Sequence, residues 1–329
     1  MGMKLPIPAL AVGGLVLWDT IKNLVLDNIF PKTIKGSVAV ITGAGSGIGR
    51  GLAVKLASMG VKVALWDLNQ QGMEETLAMV KEVGGQGAIY KVNVCDKELV
   101  YSTALQVKED LGPCTILINN AGIVTGKSIL DVEDSKASLT LGVNTESHFW
   151  SVKAFLPHMI DKNEGHVVTI SSAAGLVGVA GLCDYCASKF GAKGFNEALR
   201  LELRKMGKYG VNTLVVCPYF INTGMFDGVR TRFPFGFLLP ILQPEYVVHK
   251  IVQGIRRRRT ELRMPFLMYS SDLLHFLFPT WVKDTIFEVR QRSETRLERS
   301  DSSIPLFSLE AKNPFDSSKW HVSIQDENL

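Results

Sequence analysis

Val38-Ala39-Val40-Ile41 runs directly into Thr42-Gly43-Ala44-Gly45-Ser46-Gly47-Ile48-Gly49, and a helix-like stretch follows. An apolar strand that enters a glycine-dense turn and leaves as a helix is the start of a βα unit. Gly43, Gly47 and Gly49 allow the backbone to pass close to a pyrophosphate, which then meets the positive end of the helix. The spacing is Gly-x-x-x-Gly-x-Gly. It differs from the GxGxxG of many dinucleotide folds, because Ile48 and Arg50 stand where a third glycine would be needed. The turn therefore points to a bound dinucleotide.

Further strand-like runs lie at Lys62–Asp67, Ala88–Val94, Thr115–Asn119, His166–Ser171 and Asn212–Cys217, with a weaker seventh at Arg263–Met268. They are short, rich in Val, Ile and Leu, and lack clean alternation, as expected for a parallel sheet buried on both faces. Helical stretches separate them, so the crossovers read as βαβ units of a doubly wound α/β fold. The second run ends in Leu65-Trp66-Asp67, 18 residues after Gly49. A carboxylate there accepts the ribose hydroxyls of an adenosine and repels a 2′-phosphate. No Arg or Lys stands immediately after Asp67 or before Gly47, so NAD is expected rather than NADP.

The chain has 329 residues, room for one large α/β domain with additions. A net charge of +4 is mild, and no aromatic-basic interleaving accompanies it, so a nucleic-acid partner is not expected. The five cysteines are too few for a disulfide scaffold and suit a reducing compartment. Cys183 and Cys186 form a CxxC, but with no second pair or histidine cluster they read as small apolar residues, and no metal site is expected.

Chemistry is carried by a second cluster. Tyr185-Cys186-Ala187-Ser188-Lys189 places a phenol and an ammonium on one helical face. A phenol's ordinary pKa, near 10, is too high for a ready base, and a neighbouring cation lowers it. Ser172, at the end of the fifth strand, is placed to hydrogen-bond a reacting oxygen. Asn144, in Val143-Asn144-Thr145, is placed to hold a water that feeds protons past Lys189. Asn119-Asn120-Ala121-Gly122 brings small side chains and backbone to the carboxyl end of the fourth strand, where open α/β sheets bind ligands.

The ends of the chain differ from the middle. Leu5 to Trp18 is a stretch of 14 uncharged residues, short of the ~20 that span a bilayer. Amphipathic spacing follows it as far as Pro31. Residues 1–33 are expected to lie in or dip into one membrane leaflet, without a removable signal peptide or a myristoylation site. Residues 34–290 form the catalytic domain. They include an apolar cluster (Leu273, Leu274, Phe276, Leu277, Phe278, Trp281) that follows Arg256-Arg257-Arg258-Arg259 and suits a membrane interface with anionic headgroups. The polar tail, 291–329, is expected to be disordered. Gly224 to Tyr246 contains Met225, Phe226, Phe233, Phe235, Phe237, Leu238, Leu239, Ile241 and Leu242. A loop so apolar suits a long lipophilic alcohol.

Over residues 36–270 the chain resembles the short-chain dehydrogenase/reductase family. Thr42–Gly49, Asn120–Gly122, Asn144, Ser172, Tyr185 and Lys189 match its motifs in order and spacing. Within it, Val63–Asp67, Ile118–Lys127, Asp184–Phe190 and Thr223–Phe226 are similar to the branch of epidermal-type retinol dehydrogenases and 17-beta-hydroxysteroid dehydrogenases of lipid droplets and endoplasmic reticulum. The resemblance implies a Rossmann fold with a seven-stranded parallel sheet. It implies Tyr185 as acid/base, Lys189 on the nicotinamide ribose, Ser172 on the carbonyl and Asn144 in a proton relay. It assigns NAD contacts to Thr42, Gly43, Ser46, Gly47, Ile48, Gly49, Asp67, Asn93, Val94, Asn120, Ala121, Gly122, Pro218 and Thr223, besides Tyr185 and Lys189. It further implies hydride transfer between NAD and a retinoid, steroid or long-chain alcohol, at an endoplasmic reticulum membrane or lipid droplet with the domain in the cytosol. Pairing into a homodimer through helices flanking the fourth and fifth crossovers is common in the family. Two positions depart from its pattern. Pro218-Tyr219 stands for the usual Pro-Gly, and Asn93 for an Asp that contacts adenine, although an Asn oxygen still accepts that bond. Two rival readings are an NADPH-dependent carbonyl reductase, which Asp67 opposes, and a membrane scaffold without turnover, which the complete tetrad opposes.

Overall fold

The computed structural model describes residues 31–223 and 240–271, together with 277, 279, 281 and 282. Most of the 1–33 segment, residues 224–239 of the apolar loop, Leu273, Leu274, Phe276 and Phe278 of the C-terminal cluster, and the 291–329 tail lie outside the described residues.

Seven strands, β1 Val38–Thr42, β2 Lys62–Asp67, β3 Gly87–Lys91, β4 Ile116–Asn119, β5 Gly165–Ile170, β6 Val211–Pro218 and β7 Glu261–Met264, form one sheet in the order β3-β2-β1-β4-β5-β6-β7. Every pairing is parallel. The helices that connect them are α1 Gly47–Ala57, α2 Gln70–Glu82, α3 Lys97–Asp110, α4 Asp134–Leu141, α5 Ser147–Lys162, α6 Cys183–Lys205 and α7 Pro244–Arg256. The strand order reverses between β1 and β4, and that switch point opens a crevice at the carboxyl ends of the strands.

Both faces of the sheet are covered, which is why its strands read as unbroken apolar runs. Ala39 and Ile41 pack with Leu52, Leu56 and Ile251 of α1 and α7. Their neighbours Val38 and Val40 pack on the other face with Val107, Phe155 and Leu199 of α3, α5 and α6. Trp66, fully buried on that second face, meets the Phe155 ring at 5.6 Å.

Strands β1 and β2 have the expected bounds, β4, β5 and β6 differ from theirs by one residue at one or both ends, and β3 and β7 differ by more. β3 ends at Lys91 rather than Val94 because its neighbour β2 ends at Asp67, whose carbonyl takes the last bond, from the Val92 N–H at 3.0 Å. β7 begins at Glu261 and stops at Met264, because Pro265 has no N–H to continue the ladder. The next residues, Phe266–Tyr269, coil into a 3-10 turn.

The first described residues are tied to the end of the sheet where the strands start. The Lys32 N–H donates to the Arg256 carbonyl at 2.7 Å, and Lys32 Nζ pairs with Glu164 at 2.6 Å. Among the described residues, no helix is long and apolar enough to cross a membrane.

Candidate active site

The glycine turn is built by exclusion of side chains. A Cβ on Gly49 would lie 2.0 Å from the Gly43 carbonyl oxygen, inside any tolerable contact. Gly43 holds φ +66 and its Cβ would press on Ala121 Cα at 2.9 Å. The turn and the β4 end therefore touch backbone to backbone. Ser46, in extended conformation, precedes α1 as its N-cap, and its side chain makes no capping bond. That end of α1 presents N–H groups and the positive pole of the helix dipole toward the crevice. Ile48, the second residue of α1, is buried in the core.

Thr42 and Asn120 lash the turn in place. Thr42 Oγ1 accepts from the Asn120 and Ala121 N–H groups, both at 3.0 Å. Asn120 Nδ2 donates to the Thr42 carbonyl at 2.9 Å and to the Gly43 carbonyl at 3.1 Å. At the end of β2, Asp67 accepts the Gly45 N–H at 2.8 Å and the Asn69 N–H at 2.9 Å. Its carboxylate thus borders the turn where a ribose would arrive. Asn93 and Val94 follow β3, where Asn93 Oδ1 accepts the Cys95 N–H at 3.1 Å. Pro218 ends β6. Beyond it, Ile221 and Leu242 pair as a bridge, so both ends of the apolar loop meet in a neck. Thr223 sits on that neck, with its methyl 3.7 Å from where a Gly47 Cβ would stand. The last residues expected in the loop, Pro244 to Tyr246, are instead the first turn of α7.

On the other side of the crevice, α6 carries Tyr185 and Lys189. Ser172 hydrogen-bonds the Tyr185 phenol, a bond that favours the phenolate. Ser172 Oγ also accepts the Ala174 N–H at 3.2 Å, which fixes the hydroxyl at the start of a 3-10 turn. Lys189 Nζ donates to the Ile170 carbonyl at 3.0 Å and lies 5.6 Å from the centre of the Tyr185 ring. A Cβ on Gly122 would meet both Lys189 Nζ and Asn144 Oδ1 at 3.3 Å. Asn144 lies in a π-turn, Gly142–Glu146, between α4 and α5. Its Oδ1 accepts the Ile123 N–H at 2.8 Å, while its Nδ2 donates to the Ile123 carbonyl and to Ser188 Oγ, both at 2.9 Å. Asn144, expected to hold a water, has its side chain bonded to the segment that follows β4 and to α6.

Burial sets the proton affinities. It pushes the Tyr185 phenol up to about 12, against the pull of the Ser172 bond. It pushes Lys189 down to about 8, because burial disfavours the ammonium. Desolvation is the largest influence on the phenol, Ser172 opposes it, and the lowering expected from Lys189 is not among the causes.

These features coincide with what known proteins show. Residues 37–232 match the short chain dehydrogenase family. The chain is a short-chain dehydrogenase. It is 48% identical over 249 residues to epidermal retinol dehydrogenase 2 of Homo sapiens, covering 75% of this chain and 80% of that protein. It is 39% identical over 273 residues to retinol dehydrogenase 10 of Homo sapiens, again covering 75% and 80%. Its fold matches a short-chain dehydrogenase/reductase from Burkholderia phymatum crystallised in complex with NAD, with TM-score 0.67, 28% identity, and coverage of 74% of this chain and 94% of that one.

Two contributors escaped sequence reasoning. Arg50 Nη2 donates to the Gly45 carbonyl at 2.6 Å and pairs with Glu75 at 2.7 Å, stapling the turn to α2. Its place, immediately after the last glycine, was the available signal. Ser188 joins Asn144 to the Tyr185 carbonyl, to which its hydroxyl donates at 2.7 Å. Its spacing put it on a face with Tyr185, but nothing in the string says that Asn144 faces it.

Proposed function

We propose that this short-chain dehydrogenase oxidises a lipophilic alcohol, of the retinoid, steroid or long-chain class, with NAD. The carrying observation is the meeting of Ser172, Tyr185 and Lys189 across the crevice from a turn that only glycine can form. The residues fit the cofactor: Gly43 and Gly49 leave no room for a side chain, Gly47 holds φ +51, and α1 turns its positive end toward the turn. Asp67 takes the ribose hydroxyls, Thr223 the carboxamide and Lys189 the nicotinamide ribose. NAD, when bound, supplies the hydride acceptor and a cationic ring that favours a nearby phenolate. The chain does the rest. Tyr185 takes the hydroxyl proton of the alcohol, Ser172 steadies its oxygen, and Lys189 supplies the cation beside the phenol. Asn144 holds Ile123, and so fixes the wall on which Lys189 rests.

The apolar composition of residues 224–239 supports a lipophilic substrate, and the similarity to retinol dehydrogenases makes retinol the first alcohol to try. Residues 1–33 attach the enzyme to the endoplasmic reticulum membrane or a lipid droplet. Exposed Phe149, Phe190 and Leu201 on α5 and α6 support pairing of two chains through those helices.

The test is purified full-length protein in detergent, given NAD or NADP with retinol, estradiol and long-chain alcohols, followed by absorbance of the reduced cofactor. Tyr185→Phe is expected to abolish turnover and keep NAD affinity; retained turnover overturns the assignment. Tighter NADP binding by the parent, unchanged in Asp67→Ala, refutes the cofactor preference.

A further inference from the structure

The segment that leaves β4 is held at alternate residues, each by a different partner. The Ala121 N–H donates to Thr42 Oγ1, and Ile123 is bound through its N–H and carbonyl to Asn144. Thr125 is the third, and its hydroxyl donates to Asp184 Oδ2 at 2.8 Å. The first two partners serve the nucleotide end of the site. Thr42 belongs to the glycine turn, and Asn144 shares with Lys189 the space beside Gly122. The third stands in the first turn of α6, one residue before Tyr185. Asp184 is only 7% exposed, and its Oδ1 has no partner. Among the described residues, Thr125 supplies the one hydrogen bond that this carboxylate accepts. A buried carboxylate with a single donor tolerates the loss of that donor poorly.

The bond fixes the neighbour of Thr125. Val124 and Val179, both half-buried, pack against a cluster formed by Ala174, Leu182, Tyr185 and Cys186. Ala174 lies two residues after Ser172, to whose hydroxyl it donates its N–H. Val179 has its own tie to the same turn of α6, because its N–H donates to Cys186 Sγ at 3.3 Å. The two residues that flank Tyr185 in sequence therefore each secure a segment that carries a valine. One segment comes from β4 and the other from the turn after Ser172, and both valines border the reacting phenol.

We infer that Asp184 is a positioning residue for the alcohol: through Thr125 it holds Val124, and Val124 and Val179 are the walls between which the apolar body of the alcohol lies. This deepens the reading of Tyr185 as the base and rests on it. A lipophilic alcohol is placed by apolar surfaces of fixed position, with few polar groups to orient it. A wall that shifts costs affinity for the alcohol and leaves the nucleotide untouched, since Asn120, Ala121 and Ile123 keep their own partners.

The experiment uses full-length protein in detergent with retinol and NAD. It compares the parent with Thr125→Val, Thr125→Ser, Asp184→Leu, the Thr125→Val/Asp184→Leu pair, Val124→Ala and Tyr185→Phe. Thr125→Val keeps the shape of threonine, removes the hydroxyl and strands the carboxylate. It is expected to raise the KM for retinol roughly tenfold and leave the KM for NAD unchanged. Thr125→Ser restores the parent value. The pair is expected to be no worse than Thr125→Val alone, because residues that act through one bond do not add. A retinol KM within about twofold of the parent in Thr125→Val, or losses that add in the pair, overturns the inference. So does a fall in kcat and melting temperature with both KM values unmoved, which is what a merely structural bond gives. If Thr125→Val does not fold, Val124→Ala carries the test, since it keeps the tether and removes the wall. Its retinol KM is expected to rise roughly tenfold with the NAD value unmoved, and an unchanged retinol KM overturns the inference. Turnover by Tyr185→Phe, or a parent inert toward retinol, refutes instead the function on which the inference rests.

Discussion

Asn144→Ala tests whether the π-turn asparagine is an anchor. Its side chain is fully buried and makes three hydrogen bonds, two with the Ile123 backbone and one with Ser188. Ser188 keeps a partner after truncation, because its hydroxyl already donates to the Tyr185 carbonyl. The Ile123 N–H and carbonyl do not. Each stranded backbone group costs about 1–3 kcal/mol, so the variant is expected to lose about 2–5 kcal/mol. For a chain of this size that is a fall of roughly 5–15 °C in melting temperature, read by intrinsic fluorescence in detergent. Asn144→Asp keeps the acceptor for the Ile123 N–H but sets a second oxygen against the Ile123 carbonyl, and it is expected to do no better. An Asn144→Ala protein that melts within about 1 °C of the parent refutes the clamp.

Gly49→Ala forces a methyl to 2.0 Å from the Gly43 carbonyl, with Asn120 Nδ2 at 2.7 Å. The turn must open, so NAD affinity is expected to fall at least about tenfold and stability by about 1–3 kcal/mol; calorimetric titration showing parent-like affinity refutes the cradle. His148 and His166 are both held neutral by burial, at about 3. The unfolded chain binds those protons first, so their contribution is complete above the ordinary histidine value and is lost as pH falls from about 6.5 toward 3. His166→Asn is expected to flatten that acid limb by on the order of 1 kcal/mol per pH unit in urea titrations, and an unchanged limb sinks the claim. With the phenol pushed up to about 12, alcohol oxidation needs a rare phenolate and is expected to accelerate as pH rises from 6 to 8, above which Lys189, at about 8, loses its charge. Oxidation that is flat with pH over that range counts against Tyr185 as the base.

The sheet was legible because strands buried on both faces advertise themselves as Val, Ile and Leu runs: β1 and β2 have the expected bounds. Strand ends were less so, since β3 stops where its partner stops and β7 where Pro265 intervenes, and neither depends on apolar character. The identity of the site was legible because glycine and the Tyr-to-Lys spacing are local signals. Who touches whom was not. The clamp by Asn144 joins α6, a π-turn and the segment after β4, with 44 residues between Asn144 and Ser188 and 21 between Asn144 and Ile123. Nor does local spacing reveal desolvation: burial of the Tyr185 phenol pushes it up, which the Tyr-to-Lys spacing gives no sign of. Arg256 was read with the aromatic residues that follow it, yet it joins Lys32, a contact across 224 residues.

Most of the polar side chains marked by the motifs are consumed in holding backbone. Asn120 uses its amide on Thr42 and Gly43, Asn144 on Ile123 and Ser188, and Asp67 part of its carboxylate on Gly45 and Asn69. Arg50, a single cation with five N–H donors, is committed to Gly45 and Glu75. What remains to face a ligand is chiefly main chain, in a turn crowded at Gly43 and Gly49, with Ser172, Tyr185 and Lys189 opposite. A cleft assembled this way presents its donors already fixed, so little ordering is left to be done when a nucleotide arrives. It also explains why the asparagines matter although neither needs to touch substrate: each converts a loop after a strand into a wall of defined position. On the far side of the turn, Ile221 and Asn222 are joined to Leu242 by a bridge and a main-chain bond, so the two ends of the apolar segment are fixed to each other.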